Sequence, residues 1–285
     1  MSEFAPQEVP NTEKKDTVEY PEIAALEQPI KNIFEQLKGE IDIGGYSLII
    51  GIDTSGRIPA LITQDAMGQI YEKKGFRKPE IFFCAGFRSA SGEKTKSKKR
   101  EKLKSEFTRF VQQSKIDLEK SKRVLIVEDA VSKGGSIRPV AFLLKDMGFD
   151  MDIAAVGLVG EPEKTKLDEE QKSDREEDFT VRVVVGMRGN PSIYRTPYLS
   201  GVVKNPKDVF SEGFGMSVKR KAAFLEGLQN RTKNQEKTLK RIKKLANGDL
   251  ESFFSNIQVE GVNLARKDAH LVANHIAQDY LKQDK

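Results

Sequence analysis

The chain is poor in the residues that most often carry disulfide, zinc and histidine chemistry. Its 285 residues include one cysteine, Cys84, which excludes an internal disulfide framework and a zinc site built from cysteines. Cys84 falls in an apolar stretch and is predicted to pack in the core. The two histidines, His270 and His275, lie five positions apart. That spacing is about 140° around a helix, so we do not expect them to share a metal ion.

Long apolar segments are missing as well. No run of about 18 apolar residues occurs, which excludes a membrane-spanning helix. The first 16 residues are polar and lack the basic start and apolar stretch of a signal peptide. Together with the single cysteine, these absences predict a cytoplasmic protein with no membrane partner.

The net charge is small, but the charges are segregated along the chain. The 48 basic and 43 acidic residues leave a formal charge of +5. Residues 91–105 carry a local charge of +5 and residues 161–178 one of −5, and both segments are predicted to be solvated loops. Residues 219–244 carry +8, but apolar residues recur there at helical spacing, which predicts amphipathic helices with a basic outer face. A solvated face is the favoured interpretation of that surface, and contact with nucleic acid is the alternative.

Short apolar runs and amphipathic segments alternate between residues 45 and 185. This order predicts an α/β fold with three layers, in which helices cover both faces of a mostly parallel sheet. The expected elements are helix 23–37, strand 46–52, a helix from Pro59 to Gly75, strand 80–86, helix 107–118, strand 123–127, helix 137–147 and strands 152–159 and 179–185. We expect residues 1–20 to be a disordered tail, residues 21–205 to form the α/β domain, and residues 206–285 to be a helical C-terminal extension.

Two strand-to-helix turns in this region have the composition of anion-binding loops. One lies in residues 50–59 and the other in residues 124–137, and each leads from a buried strand into a helix through small polar residues and glycine. Backbone N–H groups at such a helix start point toward one place, where the helix dipole also favours an anion. In open parallel sheets, ligands bind beyond the carboxyl ends of the strands, where both turns would lie. The residues concerned are Asp53, Thr54, Ser55, Gly56 and Arg57 in the first turn and Ser132, Lys133, Gly134, Gly135 and Ser136 in the second.

The second turn also contains two adjacent acids, Glu128 and Asp129. Two carboxylates at a strand end are costly to bury unpaired, which favours a role in binding sugar hydroxyls or a divalent cation. A phosphate loop follows the acids three to seven residues later, and this combination predicts a site for a ribose 5-phosphate group. Without the second turn, helix capping would explain the first one equally well.

Residues 124–137 resemble the phosphoribosyl-pyrophosphate signature of type I phosphoribosyltransferases: a hydrophobic strand, two acids, two apolar residues and a Ser/Thr-Gly phosphate loop. The resemblance in element order covers about residues 20–200 and implies a phosphoribosyltransferase-like domain. It implies that Glu128 and Asp129 are the catalytic acids that address the ribose hydroxyls. It also implies that residues 132–136 bind the 5-phosphate and residues 53–57 the pyrophosphate.

The resemblance carries further expectations. It implies Mg²⁺ as the cofactor, bridging pyrophosphate and ribose oxygens, and leaves the protein ligands of the metal open. The basic segment takes the place of the family's mobile catalytic lid, with Lys94, Lys96 and Lys98 as lid candidates. Residues 186–195 follow a strand and include an aromatic side chain, Tyr194, so they are a candidate for the base-binding region.

The reaction implied is transfer of phosphoribosyl from phosphoribosyl pyrophosphate to a nitrogenous base, with release of pyrophosphate. The partners would be phosphoribosyl pyrophosphate and a nucleobase or nucleotide, and a homodimer is left open. Two residues depart from the family pattern: Ser132 stands where 6-oxopurine enzymes carry an aspartate, and Lys133 stands where the loop usually has threonine. Serine cannot take over the proton chemistry of that carboxylate at neutral pH, which disfavours hypoxanthine and guanine as acceptors. A regulator that senses phosphoribosyl pyrophosphate or a nucleotide without catalysis is the first alternative, and a nucleic-acid-associated protein is the second.

Overall fold

The centre of the fold is a parallel sheet. The computed structural model describes residues 17–52, 56–84, 93–114, 116, 123–132, 134–160, 181–191, 226, 233, 236, 239, 240 and 262–283. Its strands are β1 (Leu48–Ile52), β2 (Glu80–Cys84), β3 (Arg123–Val131), β4 (Asp150–Leu158) and β5 (Arg182–Arg188). Within the described residues they form one sheet in the order β2-β1-β3-β4-β5, and all neighbours are parallel. The α/β fold predicted from the sequence is therefore confirmed.

Helices cover both faces of this sheet. They are α1 (Pro21–Ala24), α2 (Glu27–Gln36), α3 (Lys38–Asp42), α4 (Arg57–Lys74), α5 (Glu93–Gln113), α6 (Arg138–Asp146) and α7 (Val262–Gln283). Side chains from α1–α4 and α7 pack with Ile49, Leu125 and Val127 of the sheet on one face. Side chains from α5 and α6 pack with Ile50 and Ile126 on the other. Because successive strand residues point to opposite faces, the unbroken apolar runs of β1 and β3 supply both layers.

The last helix of the chain belongs to the core of the sheet domain. Helix α7 contacts α1, α2 and α4, and its Val272, Ile276 and Tyr280 are buried in the same cluster as Ile30. Polar contacts support this packing: Lys31 Nζ lies 2.6 Å from Asp279 Oδ2. Helix α7, the last part of the predicted C-terminal extension, thus covers one face of the sheet together with α1, α2 and α4. The described residues include only five positions of the predicted basic helices 219–244, so the basic face lies mostly outside them.

The N-terminal segment is packed from residue 17 onward. Val18 and Tyr20 contact the core, and the backbone N–H of Tyr20 donates to Asp268 Oδ2 of α7 at 2.7 Å. Residues 17–20, which the sequence assigned to the tail, therefore have defined contacts, and residues 1–16 lie outside the described part. The helix predicted over residues 23–37 is divided at Leu26. Pro29 has no N–H for the carbonyl four residues earlier, so a continuous helix is disfavoured there.

A buried polar network lies at the amino ends of the strands, opposite the two turns. Asp152 is fully buried on β4, where it accepts hydrogen bonds from the Tyr46 hydroxyl at 2.5 Å and from Arg123 Nε at 2.9 Å. Burial, followed by the contact with Asp152, raises the pKa of Tyr46, and burial raises the pKa of Tyr71 to about 12. Tyr71 in turn accepts the backbone N–H of Tyr46 at 3.1 Å. This network ties β1, β3 and β4 together and leaves the other edge for the site.

The basic segment 91–105 departs from the prediction of a solvated loop. From Glu93 onward it is the first part of α5, which continues into the predicted helix around Phe107. Lys, Arg and Glu are good helix formers. The helix is anchored by Leu103 and Phe107, which lie four residues apart and are buried against the sheet. The acidic segment 161–178 lies outside the described residues.

Strand β3 is also longer than predicted. The expected strand 123–127 continues to Val131, because β4 pairs with it as far as Leu158. The two acids therefore lie within the strand rather than in the loop after it. The remaining predicted strands and the helix 137–147 are present with ends shifted by a few residues. Gly75 ends α4 with a positive φ of 78°, as expected for a helix terminator. Cys84 is buried, which confirms its predicted core position.

Candidate active site

The strands that lead into the two turns are neighbours at the point where the strand order reverses. From β1 the chain moves outward to β2 at one edge, whereas from β3 it moves through β4 to β5 at the other edge. Strands β1 and β3 are neighbours, so their carboxyl ends, with Gly56 before α4 and Gly134 before α6, lie at the same edge of the sheet. Such a reversal opens a crevice in α/β sheets and is the usual place for a ligand. The topology thus brings together the strand ends that precede the two turns.

Gly56, the residue before α4, is packed tightly against the ends of both strands. A Cβ added to Gly56 would lie 2.3 Å from the carbonyl oxygen of Ile52 and 3.0 Å from that of Val127. The backbone N–H of Gly56 donates to the Ile52 carbonyl at 3.2 Å. The φ of Gly56 is −73°, a value that any residue can adopt. Glycine is therefore required here because there is no room for a side chain, and not because of the backbone conformation. Val127 directly precedes Glu128, so this contact places the start of α4 beside the acidic pair.

The acidic pair lies where β3 extends past β1. The last paired residue of β1 on this side is Gly51, opposite Val127, whereas β3 continues beside β4, with Glu128 opposite Ala155. Glu128 and Asp129 are 4% and 1% exposed. As consecutive strand residues they project to opposite faces of the sheet. Ser136 Oγ lies 3.5 Å from Glu128 Oε1, so the Glu128 side chain lies on the α6 side.

The second turn leads into α6 through two glycines, of which Gly134 is buried and Gly135 is exposed. Gly134 has a φ of 68°, and its carbonyl accepts the N–H groups of Ile137 and Arg138 at 3.2 and 3.0 Å. A Cβ on Gly135 would meet no atom within 4 Å among the described residues. Ser132 is exposed and Ser136 is half-buried. A left-handed glycine followed by an open one gives an anion close access to the backbone.

Neither α4 nor α6 has a side-chain hydrogen bond at its N-cap within the described residues. The helix dipole makes the start of a helix attractive to anions. At α6, the N–H groups of Ile137 and Arg138 already donate to the Gly134 carbonyl and Pro139 has no N–H, so an anion there would bind to the loop backbone before the helix. Helix α4 packs on one face of the sheet and α6 on the other. Two helix starts therefore approach the crevice from opposite faces, with two carboxylates between them. This charge pattern suits a ligand with anionic groups at its ends and hydroxyl groups in the middle.

One aromatic residue near the first turn was missed by the sequence reasoning. The guanidinium carbon of Arg57 lies 5.9 Å from the centre of the Phe83 ring, close enough for a cation–π contact. Phe83 is the register partner of Gly51 on β1. Gly51 could have indicated this contact in the sequence, because a glycine inside a buried strand often marks the close approach of another group.

Several predicted site residues lie outside the described part of the chain. They are Asp53, Thr54, Ser55 and Lys133, so the roles assigned to them stay predictions. Lys94, Lys96 and Lys98 lie in the first turns of α5, but their side chains are not among those described, and their lid role also stays a prediction.

The candidate base-binding segment 186–195 begins inside strand β5. Gly186 is required by packing, because a Cβ there would lie 2.5 Å from the Pro29 carbonyl oxygen of α2. After the strand, Gly189 turns with a φ of 98° and its N–H donates to the Leu158 carbonyl at 2.7 Å. The segment thus begins beside the end of β4. Tyr194 lies outside the described residues.

The described residues contain no group of three His, Cys, Asp or Glu side chains that would hold a metal ion alone. The two histidines instead face carboxylates: His270 Nδ1 lies 2.5 Å from Asp65 Oδ2 and His275 Nδ1 lies 3.3 Å from Glu27 Oε2. At the crevice, Glu128 and Asp129 offer hard carboxylate oxygens. Mg²⁺ commonly binds through one or two carboxylates together with phosphate oxygens of the substrate, so this donor set fits a cation that arrives with a polyphosphate.

Comparison with known proteins agrees with this geometry. The model of the phosphoribosyl transferase domain family matches residues 18–186, which is more than half of the chain. The chain belongs to the phosphoribosyl transferase domain family. Neither the curated proteins nor the solved structures gave a match to it. The matched region includes both turns, the acidic pair, strands β1–β4 and the first five residues of β5, and it ends before α7. Within the described residues, no helix has both the length and the apolar content to cross a membrane.

Proposed function

We propose that the protein binds phosphoribosyl pyrophosphate together with Mg²⁺ and transfers the phosphoribosyl group to a nitrogenous base. The observation that carries this proposal is the convergence of two helix starts and a buried acidic pair at the strand reversal of a phosphoribosyl transferase domain. The 5-phosphate would bind at the start of α6, with Ser132, Gly134, Gly135 and Ser136 as its neighbours among the described residues. The pyrophosphate would bind at the start of α4.

In this proposal the acids act on the sugar. The ribose hydroxyl groups would donate to the carboxylates of Glu128 and Asp129, which approach from the two faces of the sheet. Their negative charge would also favour the positive charge that develops on the sugar ring as the bond to pyrophosphate breaks. The base nitrogen would form a new bond to the anomeric carbon, and the electron pair of the breaking C–O bond would leave with pyrophosphate. The protein contributes mainly position and electrostatics.

Mg²⁺ is proposed as the cofactor because the donor set at the crevice fits it. Because Glu128 and Asp129 project to opposite faces of the sheet, one of these two carboxylates would hold it, with oxygens of the ligand completing its coordination. When bound, the metal would neutralise charge on the leaving pyrophosphate. Arg57, at the first position of α4, would supply a fixed positive charge to the same anion.

The acceptor is expected to differ from hypoxanthine and guanine. Ser132 is an exposed serine where 6-oxopurine enzymes of the resembled family carry an aspartate. A serine hydroxyl does not accept a proton at neutral pH. Bases that need no carboxylate at this position are therefore the favoured acceptors.

Calorimetric titration with phosphoribosyl pyrophosphate, with and without Mg²⁺, tests binding. We expect Asp129→Asn to weaken this binding by at least tenfold, because the variant loses a charged acceptor for the ribose. Asp150→Asn is a matched control, since Asp150 is exposed at the opposite end of the sheet and its replacement should leave affinity unchanged. Unchanged affinity in a folded Asp129→Asn protein would contradict the site, and no binding by the unaltered chain would contradict the function.

A pyrophosphate-release assay with a panel of bases separates enzyme from regulator. Turnover with any base supports the transferase. Tight binding without turnover supports the alternative, a sensor of phosphoribosyl pyrophosphate or of a nucleotide. A nucleic-acid partner, suggested by the basic residues 219–244, would show salt-dependent retention on DNA or RNA. A homodimer and a cytoplasmic location stay predictions.

A further inference from the structure

The ring of Phe83 is held in one place at the carboxyl edge of the sheet. Phe83 lies opposite Gly51 in the register of β1 and β2. A Cβ added to Gly51 would lie 2.7 Å from Cδ1 and 2.9 Å from Cε1 of this ring, so the ring rests directly on the backbone of β1. The same Cβ would lie 2.9 Å from the Cβ of Ala60, in the first turn of α4. Phe83 therefore occupies the space between β1 and the start of α4.

The ring faces the one basic side chain of that helix start. Arg57 is the first residue of α4, and its guanidinium carbon lies 5.9 Å from the ring centre. Both residues are half-buried, so neither the ring nor the guanidinium is fully solvated. A guanidinium is attracted to the face of an aromatic ring within about 6 Å. A free arginine side chain loses considerable rotamer entropy when it binds an anion, and a ring that already restricts it reduces that loss.

We propose that Phe83 is a positioning residue that holds the Arg57 guanidinium toward the pyrophosphate group of the ligand. This inference rests on the proposed function, because Arg57 is taken there to contact pyrophosphate. Phe83 acts through Arg57 and does not touch the ligand itself. Gly51 is required by the same arrangement, since any larger residue would displace the ring.

Binding of inorganic pyrophosphate with Mg²⁺, measured by calorimetry, tests this role. We expect Phe83→Leu to weaken pyrophosphate binding about two- to fivefold, the size of a partly exposed cation–π contact. Phe83→Tyr keeps the ring and should restore binding. Ribose 5-phosphate, which carries no pyrophosphate, should bind Phe83→Leu and the unaltered protein equally. If the Phe83→Leu protein does not fold, the same measurement is made with Phe83→Met, which removes the ring but keeps a similar apolar volume.

Phe82→Leu is the matched control. Phe82 is the preceding residue of β2, but it packs on the opposite face, with its ring centre 5.4 Å from that of Phe107. Its replacement should leave pyrophosphate binding unchanged.

The Arg57→Gln background shows whether Phe83 acts through Arg57. In that background Phe83→Leu should have no further effect. An equal loss with and without Arg57, or an equal loss for ribose 5-phosphate, would show a general structural role and overturn the inference. Failure of the unaltered protein to bind pyrophosphate and phosphoribosyl pyrophosphate would overturn the proposed function and this inference with it.

Discussion

Replacement of Gly56 by alanine is the most direct test of how the first turn is placed. The new Cβ would lie 2.3 Å from the Ile52 carbonyl oxygen, whereas folded proteins essentially never bring these atoms closer than 3.0 Å. The start of α4 must therefore move by about 0.7 Å, and it moves away from the ends of β1 and β3. Overpacking of this kind costs about 1–3 kcal/mol. For a chain of this size that corresponds to a fall in melting temperature of about 2–10 °C.

The functional effect of Gly56→Ala should exceed its effect on stability. A displacement near 1 Å at a positioning element can lower activity by about a hundredfold. We expect the affinity for phosphoribosyl pyrophosphate to fall more than tenfold at a temperature where the variant is folded, as measured by calorimetry beside a thermal melt. Gly39→Ala is the control, because a Cβ there meets no described atom within 4 Å and alanine favours a helix. A Gly56→Ala protein that melts and binds like the unaltered chain would refute the close packing of this turn.

Two further predictions concern the stability of the fold away from the candidate site. Asp152→Ala leaves the buried Tyr46 hydroxyl without its acceptor, so we expect the free energy of unfolding in urea to fall by about 1–3 kcal/mol, while an unchanged denaturation midpoint would contradict the network. Burial alone raises the pKa of Asp42, but hydrogen bonds from Lys74 and Tyr280 outweigh it and hold the pKa below the usual 3.8. Because the folded pKa is the lower one, the stabilisation is complete above pH 3.8 and is lost as the pH falls through the folded value. Between pH 7 and pH 3, the melting temperature of Asp42→Asn should therefore fall less than that of the unaltered chain. Identical profiles of melting temperature against pH would count against this assignment.

The sheet was predictable because parallel strands are buried on both faces and leave short, unbroken apolar runs in the sequence. Two failures have a common cause. The length of β3 and the helical start of α5 both depend on contacts with other parts of the chain as well as on the residues that compose them. Hydrogen bonds from β4 extend β3 through Glu128 and Asp129, and two buried side chains, Leu103 and Phe107, attach α5 to the sheet. Contacts between residues distant in sequence therefore contribute to both the length of β3 and the helical start of α5.

The relative placement of the two segments that form the candidate site was predictable, whereas the roles of their residues stay predictions. The acidic pair and the glycine loop form one continuous segment, so their association needed no tertiary information. The meeting of this segment with the first turn followed from the alternation of strands and helices. The contact between Arg57 and Phe83 was not foreseen, because it depends on the register that sets Phe83 opposite Gly51. A single sequence does not specify the register between two apolar strands.

The attachment of α7 also had a sequence signal. Ala265, Ala269, Ala273 and Ala277 recur every four residues and are buried. Small side chains along one stripe of a helix allow close approach to a neighbouring helix, here α4. The stripe predicts a packed helix, but it does not name the partner.

The packing of α7 bears on how this protein can be divided. The family match ends at residue 186, so a protein cut there would keep both turns and strands β1–β4 but would lose Met187 and Arg188, the last two residues of β5. It would also expose Ile23, Ile30 and Ile33, which lie in the cluster that α7 covers. The contact between Tyr20 and Asp268 spans 248 positions, so one face of the sheet is completed only after most of the chain has been synthesised. The region defined by family membership is thus shorter than the unit that folds.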